Sequence, residues 1–556
     1  MTKQPLVPWD YLIVTASNDA QASAYESQLR LRHRRGALPG VRHVLVVADP
    51  EGKRVGSGGS TLCCLMEVVN RELAVGRASR LSPSSHVPDR REACPTVESI
   101  LRSLRILIIH AGGDSRRLPA YGPCGKIFIP VPGKADPALG CALFDRIAPR
   151  FMALPPAQAG CGQVVMAAGD ALILFDPSTV SLAQPGLTAL TCLDTPEQAG
   201  KHGVFCPGRA GRVRLYLQKP SVATQHELGA IQKGQSLLDI GIMSFDATMA
   251  VALLQAFGIK AGRDGQLAWP TKTKRDVLAR GVDFFREVCC ALGDEATAEH
   301  HAQQAKSAGS TWSDAELGKM FSALRSVPFH LQVIPHARFL HFGTTRQLIT
   351  SGEELRGHDQ PRAAGSPKPL SLDNELRPGG KITGASAWVE ACRLSAPLQL
   401  GGNNVVIGVE ATEPLALSAG ACMDVLSGAN RTGKKVWFIR CYGIKDTFKD
   451  TVAKGGTFCG LPLLDWLAAI GAKPEDIWDK SLPAEKRSLW DARVFPAEAK
   501  SSAYRKWLWV FDPTKATEAQ KKAFLAADRF SAAEVSTLAD QDHFFARRRR
   551  LRRGVA

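Results

Sequence analysis

Long apolar runs are missing from this sequence. No stretch approaches the roughly 18 apolar residues that a bilayer-spanning helix needs, so no membrane association is expected. The opening residues, MTKQPLVPWD, lack the charged-then-apolar layout of a secretory signal, and a cytoplasmic location is expected. There are 14 cysteines but no C-x-x-C, and Cys63-Cys64 and Cys289-Cys290 are adjacent pairs. Such pairs suit neither a disulfide framework nor a zinc site, and free core thiols are the plainer reading. Aromatic residues are not interleaved with the basic runs, so nucleic-acid binding is not expected either. Two phosphate-binding signatures are absent as well. Gly125-Lys126 is followed by Ile127, with no hydroxyl where a P-loop needs one, and there is no G-x-G-x-x-G.

What remains is the composition of an ordinary globular protein, 45% hydrophobic and 22% charged. A chain of 556 residues is too long for one core, so several domains are expected. Net charge is +17, from 70 basic and 53 acidic residues. Part of it is local, at Arg30, Arg32, Arg34 and Arg35 and again at Arg547–Arg550, Arg552 and Arg553. With nucleic acid set aside, an anionic small substrate is one use for such an excess.

The chain is organised around RILIIHAGGDSRRLPAYGPCGK, residues 105–126. Arg105–His110 reads as a buried strand. Gly112 and Gly113 make a turn at which backbone N–H groups can approach phosphate with no Cβ in the way. Arg116, Arg117 and Lys126 could neutralise the phosphate charge. Other strands are expected at 9–15, 43–49, 163–170, 188–194, 213–220 and 237–246, with a helix over Ala20–Arg32. Val55–Leu62, containing Gly56, Gly58 and Gly59, reads as a second glycine-rich loop before a helix at Leu65–Leu73. Residues 76–97 read as a polar surface loop, and 250–330 as mainly helical. Strands alternating with helices indicate an α/β fold with a mostly parallel sheet, in which ligands bind at the carboxyl ends of strands. Gly112, Asp170, Lys219 and the loop after Asp194 fall at such ends.

From Ile382 the period changes. Ile382, Trp388, Leu394, Leu400 and Val406 sit six residues apart, with Gly, Asn and Ser between them. A six-residue apolar repeat is the mark of a parallel β-helix; ordinary hairpins are the alternative. After 411 the pattern is mixed, and the chain closes in a basic, frayed helix.

Gly112-Gly113-Asp114-Ser115-Arg116-Arg117-Leu118-Pro119 followed by Lys126 resembles the G-G-x-G-T-R-L signature of sugar-nucleotide pyrophosphorylases, with Ser115 and Arg116 in place of Gly and Thr. More closely, VGSGGSTL (55–62), HAGGDSRRLP (110–119), CGK (124–126), HGVF (202–205), FLHFGTT (339–345), GGNNVVIGV (401–409), YGIKDTFKD (442–450), LWDARVFP (489–496) and the terminal ARRRRLR resemble the GDP-fucose pyrophosphorylase module of bifunctional fucokinase/GDP-fucose pyrophosphorylases. The GHMP-type kinase elements that follow this module in those proteins are not found, so a stand-alone nucleotidyltransferase half is expected.

The resemblance implies a Rossmann-like nucleotidyltransferase domain with a mixed, mostly parallel sheet over 1–350, carrying a helical insertion at about 250–330. A short parallel β-helix over 377–450 and a mixed α/β, mainly helical C-terminal region over 451–556 would follow. It implies formation of GDP-L-fucose and pyrophosphate from GTP and L-fucose 1-phosphate with Mg²⁺. Arg117 takes the place of the family's catalytic Arg, Lys126 would bind the α-phosphate, and Lys219, in Gln218-Lys219-Pro220, the sugar phosphate. Gly56, Gly58, Gly59, Gly112, Gly113, Asp114, Ser115, Arg116 and His202 would line the nucleotide site. Asp170 would hold the metal with Asp239, or with Asp246 as the alternative. A homo-oligomer built on the β-helix and a separate sugar kinase in the same pathway would be the partners. Three readings compete with it: a pyrophosphorylase for another nucleotide and sugar phosphate, a non-catalytic protein that binds nucleotide sugars, and a nucleic-acid binder using the arginine tail.

Overall fold

The computed structural model describes residues 7–80, 96–113, 115–262, 265–335, 337–359 and 368–553. The chain divides into two compact units. One comprises 1–113, 147–169 and 173–339, the other 114–146, 170–172 and 340–556.

The first unit is built on a ten-stranded mixed sheet. Its strands, in chain order with their flanking elements, begin with β1 (Trp9–Ala16), helix α1 (Asp19–Arg34), β2 (Val41–Ala48), helix α2 (Gly56–Arg80), β3 (Arg105–His110) and β4 (Gln163–Ala168). They continue with β5 (Leu187–Asp194), β6 (Gly203–Pro207), β7 (Val213–Gln218), β8 (Ile231–Gln232), β9 (Gln235–Phe245) and β10 (Phe329–Val333). The order β2-β1-β3-β4 is parallel throughout. β9 then runs antiparallel to both β4 and β5, and β10 pairs in parallel with β5. Strands β1 and β3 are buried almost end to end, as their continuous apolar runs require when helices cover both faces. Ile13, Ile106, Ile108, Met166 and Met243 belong to one core with Leu62, Leu65 and Val69 of α2. Helix α1 starts where the Asn18 side chain accepts from Gln21 N, and its last turn carries Arg32 and Arg34, favourable charges for a helix C-terminus.

The glycines at 56–59 do not form a loop. They open helix α2, and the expected glycine-rich loop is corrected accordingly. The reason lies more than two hundred residues away. Val282 O accepts from Gly58 N at 2.8 Å and Gly59 N at 3.2 Å. A Cβ at Gly56 would fall 2.4 Å from that same oxygen. The run of small residues lets a helix end press against backbone, which local sequence reads as flexibility. Of the polar stretch 76–97, residues 76–80 continue α2 and 81–95 lie outside the described residues. Helices at Ala247–Ala256, Thr271–Arg280, Ala298–Ser307 and Asp314–Leu324 fill the region read as helical.

The second unit holds three parallel ladders. Leu370–Leu372, Ala387–Glu390, Asn404–Ile407 and Ala421–Ala429 stack in one. Glu375–Leu376, Arg393–Leu394 and Glu410–Ala411 form the second, and Lys381–Thr383, Pro397–Leu400 and Leu415–Leu417 the third. Ile382, Trp388, Leu394, Leu400 and Val406 occupy five consecutive strands, one on each. The six-residue interval is thus the step from one strand to the next. Hairpins would need antiparallel neighbours, and none of these pairs is antiparallel. The first ladder continues antiparallel through Lys435–Gly443 to Phe495–Glu498.

The C-terminal helix, Gln541–Arg553, corrects the expectation of a frayed end. Arg547 bonds Glu410 Oε1 at 2.8 Å and Ala391 O at 2.8 Å, Arg548 pairs with Glu390, and Arg552 lies 2.8 Å from Asp373 Oδ1. The arginine run looks like a solvated tail in sequence because its carboxylate partners are more than a hundred residues upstream. No helix among the described residues is long and apolar enough to cross a membrane.

Candidate active site

In the second unit the site residues lie on a loop that follows the glycine turn. Ser115 is buried and has φ +55°. That is the left-handed region glycine enters freely, and it falls at the position where the resembled signature has Gly. The Arg117 side chain is exposed, while its carbonyl accepts from Thr345 N at 3.1 Å. Arg116 lies over the Trp490 ring, 5.6 Å from its centroid. Gly125, with φ +69°, turns the chain into Lys126, whose Nζ is 3.5 Å from Asp170 Oδ2. The Asp170 carbonyl accepts from Phe342 N at 3.0 Å. A Cβ on Gly343 would stand 3.8 Å from Asp170 Oδ2 and 4.0 Å from Lys126 Nζ. Residues 342–345 therefore join Arg117 and Asp170 by backbone bonds and leave bare backbone beside the Lys126–Asp170 pair. Sequence reasoning gave Gly343 and Gln347, whose Oε1 accepts from Gly343 N at 3.2 Å, no part in the site. The signal was the F-G-T-T run. The Lys126–Asp170 pair, and the exposed Arg117 on the same loop as Lys126, are groups suited to a polyphosphate and a hard cation. Asp114 lies outside the described residues.

In the first unit, Gly112 and Gly113 follow β3. Thr15 Oγ1 accepts from Ala111 N at 3.1 Å and from Gly112 N at 3.3 Å, which fixes the start of the turn. Gly113 has φ +116° and open space where a Cβ would be. His110 ends β3, 3.1 Å from Thr61 Oγ1 of α2, and burial pushes its imidazole down to about 4. It is therefore neutral at pH 7, a contact that no local pattern announces.

A second cluster gathers His202, Lys219 and Asp239. The hairpin β6–β7 is antiparallel, with Gly203 opposite Gln218. Lys219 thus lies at the carboxyl end of a strand, as expected, but that strand is antiparallel to its neighbour where a mostly parallel sheet was expected. It is exposed at φ +52°, and its N–H donates to His202 O at 2.9 Å. Burial, then the Lys219 charge, lowers the His202 pKa. Asp239 sits at the break in register of β9, three residues before Ile242, which pairs with Ala167 near the carboxyl end of β4. Its Oδ2 accepts from Tyr216 OH at 2.8 Å and its Oδ1 from Gly241 N at 2.7 Å. Gln218 Oε1 is 3.2 Å from the same Tyr216 hydroxyl. A carboxylate at 218 would set a second negative charge beside buried Asp239, so the neutral amide is the electrostatically easier neighbour. Asp246 is at the far end of β9, where it caps the helix Ala247–Ala256 through Met249 N and also accepts from Gly186 N. Gly56, Gly58 and Gly59 pack on Val282 as described, with the Gly58 and Gly59 N–H groups already engaged.

Burial pushes the Asp239 carboxyl up to about 6, against the two hydrogen bonds that favour its charged form. That value lies above the ordinary carboxylate range of an unfolded chain. Between about pH 6 and pH 4 the folded protein holds a proton that the unfolded chain has lost, so Asp239 adds stability at low pH that disappears as pH rises through about 6. We expect the urea midpoint of the wild type to gain on that of Asp239→Asn as pH is lowered from 7 to 4.5. A gap that stays constant over this range would contradict the assignment.

Known proteins resemble this chain along most of its length. It is 28% identical to a bifunctional fucokinase/GDP-fucose pyrophosphorylase of Arabidopsis thaliana, over 95% of this chain and 50% of the relative. It is 27% identical to an L-fucokinase/L-fucose-1-P guanylyltransferase of Bacteroides fragilis, over 91% of this chain and 48% of the relative. A human fucose-1-phosphate guanylyltransferase is 23% identical over 88% of this chain and 81% of its own length. The chain thus spans about half the length of the first two of these relatives. The family model described as the fucose pyrophosphorylase domain matches residues 98–500, which take in the glycine turn, both clusters and all three parallel ladders. By that match the chain belongs to the fucose pyrophosphorylase family.

Proposed function

We propose that this chain is a fucose-1-phosphate guanylyltransferase, forming GDP-L-fucose and pyrophosphate from GTP and L-fucose 1-phosphate. The observation that carries the reading, beside the family, is the exposed Arg117 and the Lys126 of the loop after the glycine turn, the latter paired with Asp170 beyond the end of β4. A phosphate oxygen of the sugar phosphate attacks the α-phosphorus of GTP, and the bond from that phosphorus to the bridging α–β oxygen breaks. The nucleophile is already an anion, so no general base is needed. The demand is to bring anions together and to stabilise spreading charge. The Gly113 N–H is suited to the triphosphate, with Gly112, whose own N–H is engaged by Thr15, setting the turn; Arg117 is suited to the β- and γ-phosphates, Lys126 to the α-phosphate and Lys219 to the sugar phosphate.

Mg²⁺ is the cofactor of this reading. Asp170 fits it as a partly exposed carboxylate. Asp239 fits as a carboxylate whose direction is fixed by Tyr216 and Gly241 while each oxygen keeps a second lone pair. The ion would supply charge neutralisation on the phosphates. We read the three parallel ladders as coils of a short parallel β-helix and the ten-stranded sheet as a Rossmann-like nucleotidyltransferase core. A cytoplasmic location, a homo-oligomer and a separate sugar kinase belong to the same proposal.

The test is pyrophosphate release with Mg²⁺, GTP and L-fucose 1-phosphate, beside UTP, ATP and other sugar 1-phosphates. A preference for GTP with L-fucose 1-phosphate is expected. Preference for another pair would keep the reaction and discard the substrate. No release from any pair, with GTP or GDP-sugar still bound, would make the chain a binding protein.

A further inference from the structure

The loop bearing Arg117 and Lys126 is gripped at two carbonyls. Pro119, two residues after Arg117, gives its carbonyl oxygen to Arg440 Nη2 at 3.0 Å. Phe128, two residues after Lys126, gives its carbonyl oxygen to Arg548 Nη1 at 3.1 Å. Both guanidiniums are buried and each is ion-paired, Arg440 with Asp424 at 2.7 Å and Arg548 with Glu390. These two carboxylates share one column of the first ladder. Glu390 pairs with Ile407, and Ile407 pairs with Asp424. Two rungs separate them, roughly 10 Å at the ordinary strand spacing. A third tie reaches the loop between these points, where the hydroxyl of fully buried Tyr121 donates to Glu390 and accepts from Trp388 Nε1 at 2.9 Å. Arg548 is in turn pressed between Phe544, 4.2 Å from the ring centroid, and Tyr121.

Charge in such a place is not explained by stability. Removing two ions from water costs about what their attraction returns, and an apolar side chain of similar volume often does as well. What a guanidinium adds is direction. Its planar fork holds a carboxylate with one edge and a chosen carbonyl with another, so the carbonyl is fixed relative to a stiff column of strands.

We propose that Arg440 and Arg548 are positioning residues, which set the loop so that Arg117 and Lys126 are held in the geometry the phosphoryl transfer requires. The inference rests on the guanylyltransferase reading. It gives the arginine-rich C-terminal helix a part in the reaction, although none of its residues has to touch substrate.

The test uses the full chain and four variants. Arg548→Met removes one grip, Arg548→Lys keeps the charge without the fork, and Tyr121→Phe removes a single hydroxyl should Arg548→Met fail to fold. Arg431→Met breaks an ion-pair group in the same unit, with Asp528 and Glu534, that makes no bond to the loop. At temperatures well below each variant's Tm, Arg548→Met is expected to lower kcat about 10- to 100-fold with a smaller change in KM for GTP, since misplacement of charge by about an ångström costs that much. Arg548→Lys should recover part of the loss, Tyr121→Phe should fall several-fold, and Arg431→Met should stay within twofold. Amide hydrogen exchange over 117–128 should be at least tenfold faster in Arg548→Met and unchanged in Arg431→Met. Wild-type kcat in folded Arg548→Met or folded Tyr121→Phe, or an equal loss in Arg431→Met, would overturn the proposal. Should the wild type release no pyrophosphate, the reaction reading fails by itself. Exchange then decides the grip, and unchanged exchange in Arg548→Met overturns that too.

Discussion

Lys126→Ala is expected to lower kcat/KM for pyrophosphate release about 10³-fold while the fold survives. A fixed donor aimed at developing charge is worth on the order of 10² to 10³ in rate, and Lys126 is fixed. Its side chain is only 16% exposed, its backbone follows the positive-φ turn at Gly125, and Asp170 holds its ammonium at 3.5 Å. A solvated surface lysine would satisfy none of these conditions. The loss should fall mainly on kcat, because charge on the α-phosphate grows in the transition state and a group that meets it there acts selectively. Lys126→Arg separates charge from position, since it keeps the cation and changes its reach and shape. Recovery below a tenth of wild type is expected. Near-wild-type kcat in Lys126→Ala, measured on protein of unchanged Tm, would remove this residue from the mechanism. Phosphate binding would then rest on Arg117, Lys219 and the glycine turn.

Asp170→Asn is the second large effect, and its signature is the metal dependence. The substitution keeps volume and hydrogen-bonding capacity, and it spares the carbonyl that accepts from Phe342 N. Stability should change little at a site whose carboxylate is 38% exposed. What it removes is the charged oxygen that a hard, strongly hydrated cation demands. Pyrophosphate release at 1 mM Mg²⁺ should drop at least about 10²-fold. The Mg²⁺ concentration for half-maximal rate should rise at least tenfold, so part of the loss returns at high Mg²⁺. A variant with a normal Mg²⁺ dependence and a lower rate would mean that Asp170 serves only to hold Lys126. The two substitutions share one ion pair, so their effects should not add.

Much of this architecture is visible without coordinates wherever the cause is local. Arg105–His110 is an apolar run between polar ends, and it is the strand the run describes. The six-residue interval from Ile382 to Val406 is fixed by strand length plus one corner, so it survives in the sequence as a period. Ser115 is harder. A serine there reads as a departure from a glycine signature, yet its positive φ shows that the backbone has kept the turn and accepted the strain. The failures share a cause of another kind. Gly56–Gly59 and Arg547–Arg552 each answer to partners far along the chain. A glycine run looks the same whether it bends freely or lets Val282 O come close. An arginine run looks the same in water or against Glu390 and Glu410. Asp239 is intermediate. Its place in the strand read at 237–246 is legible, but the Tyr216 hydroxyl that orients it and the burial that raises its pKa are not.

The grip on Phe128 also carries a clock. Arg548 lies 420 residues downstream of the carbonyl it holds. A ribosome adding about 5 to 20 residues per second needs roughly 20 to 80 s to cover that distance. For that time the loop exists without its farther anchor, and over the last 158 residues of it Glu390 has no arginine to meet its charge. Tyr121 and the apolar residues beside it must tolerate the interval. The nascent chain therefore passes through a long-lived intermediate in which the loop from Arg117 to Phe128 has been made but not yet set. A slow-growing chain should show its weakness to proteases and holdase chaperones there, long after the first sheet is complete.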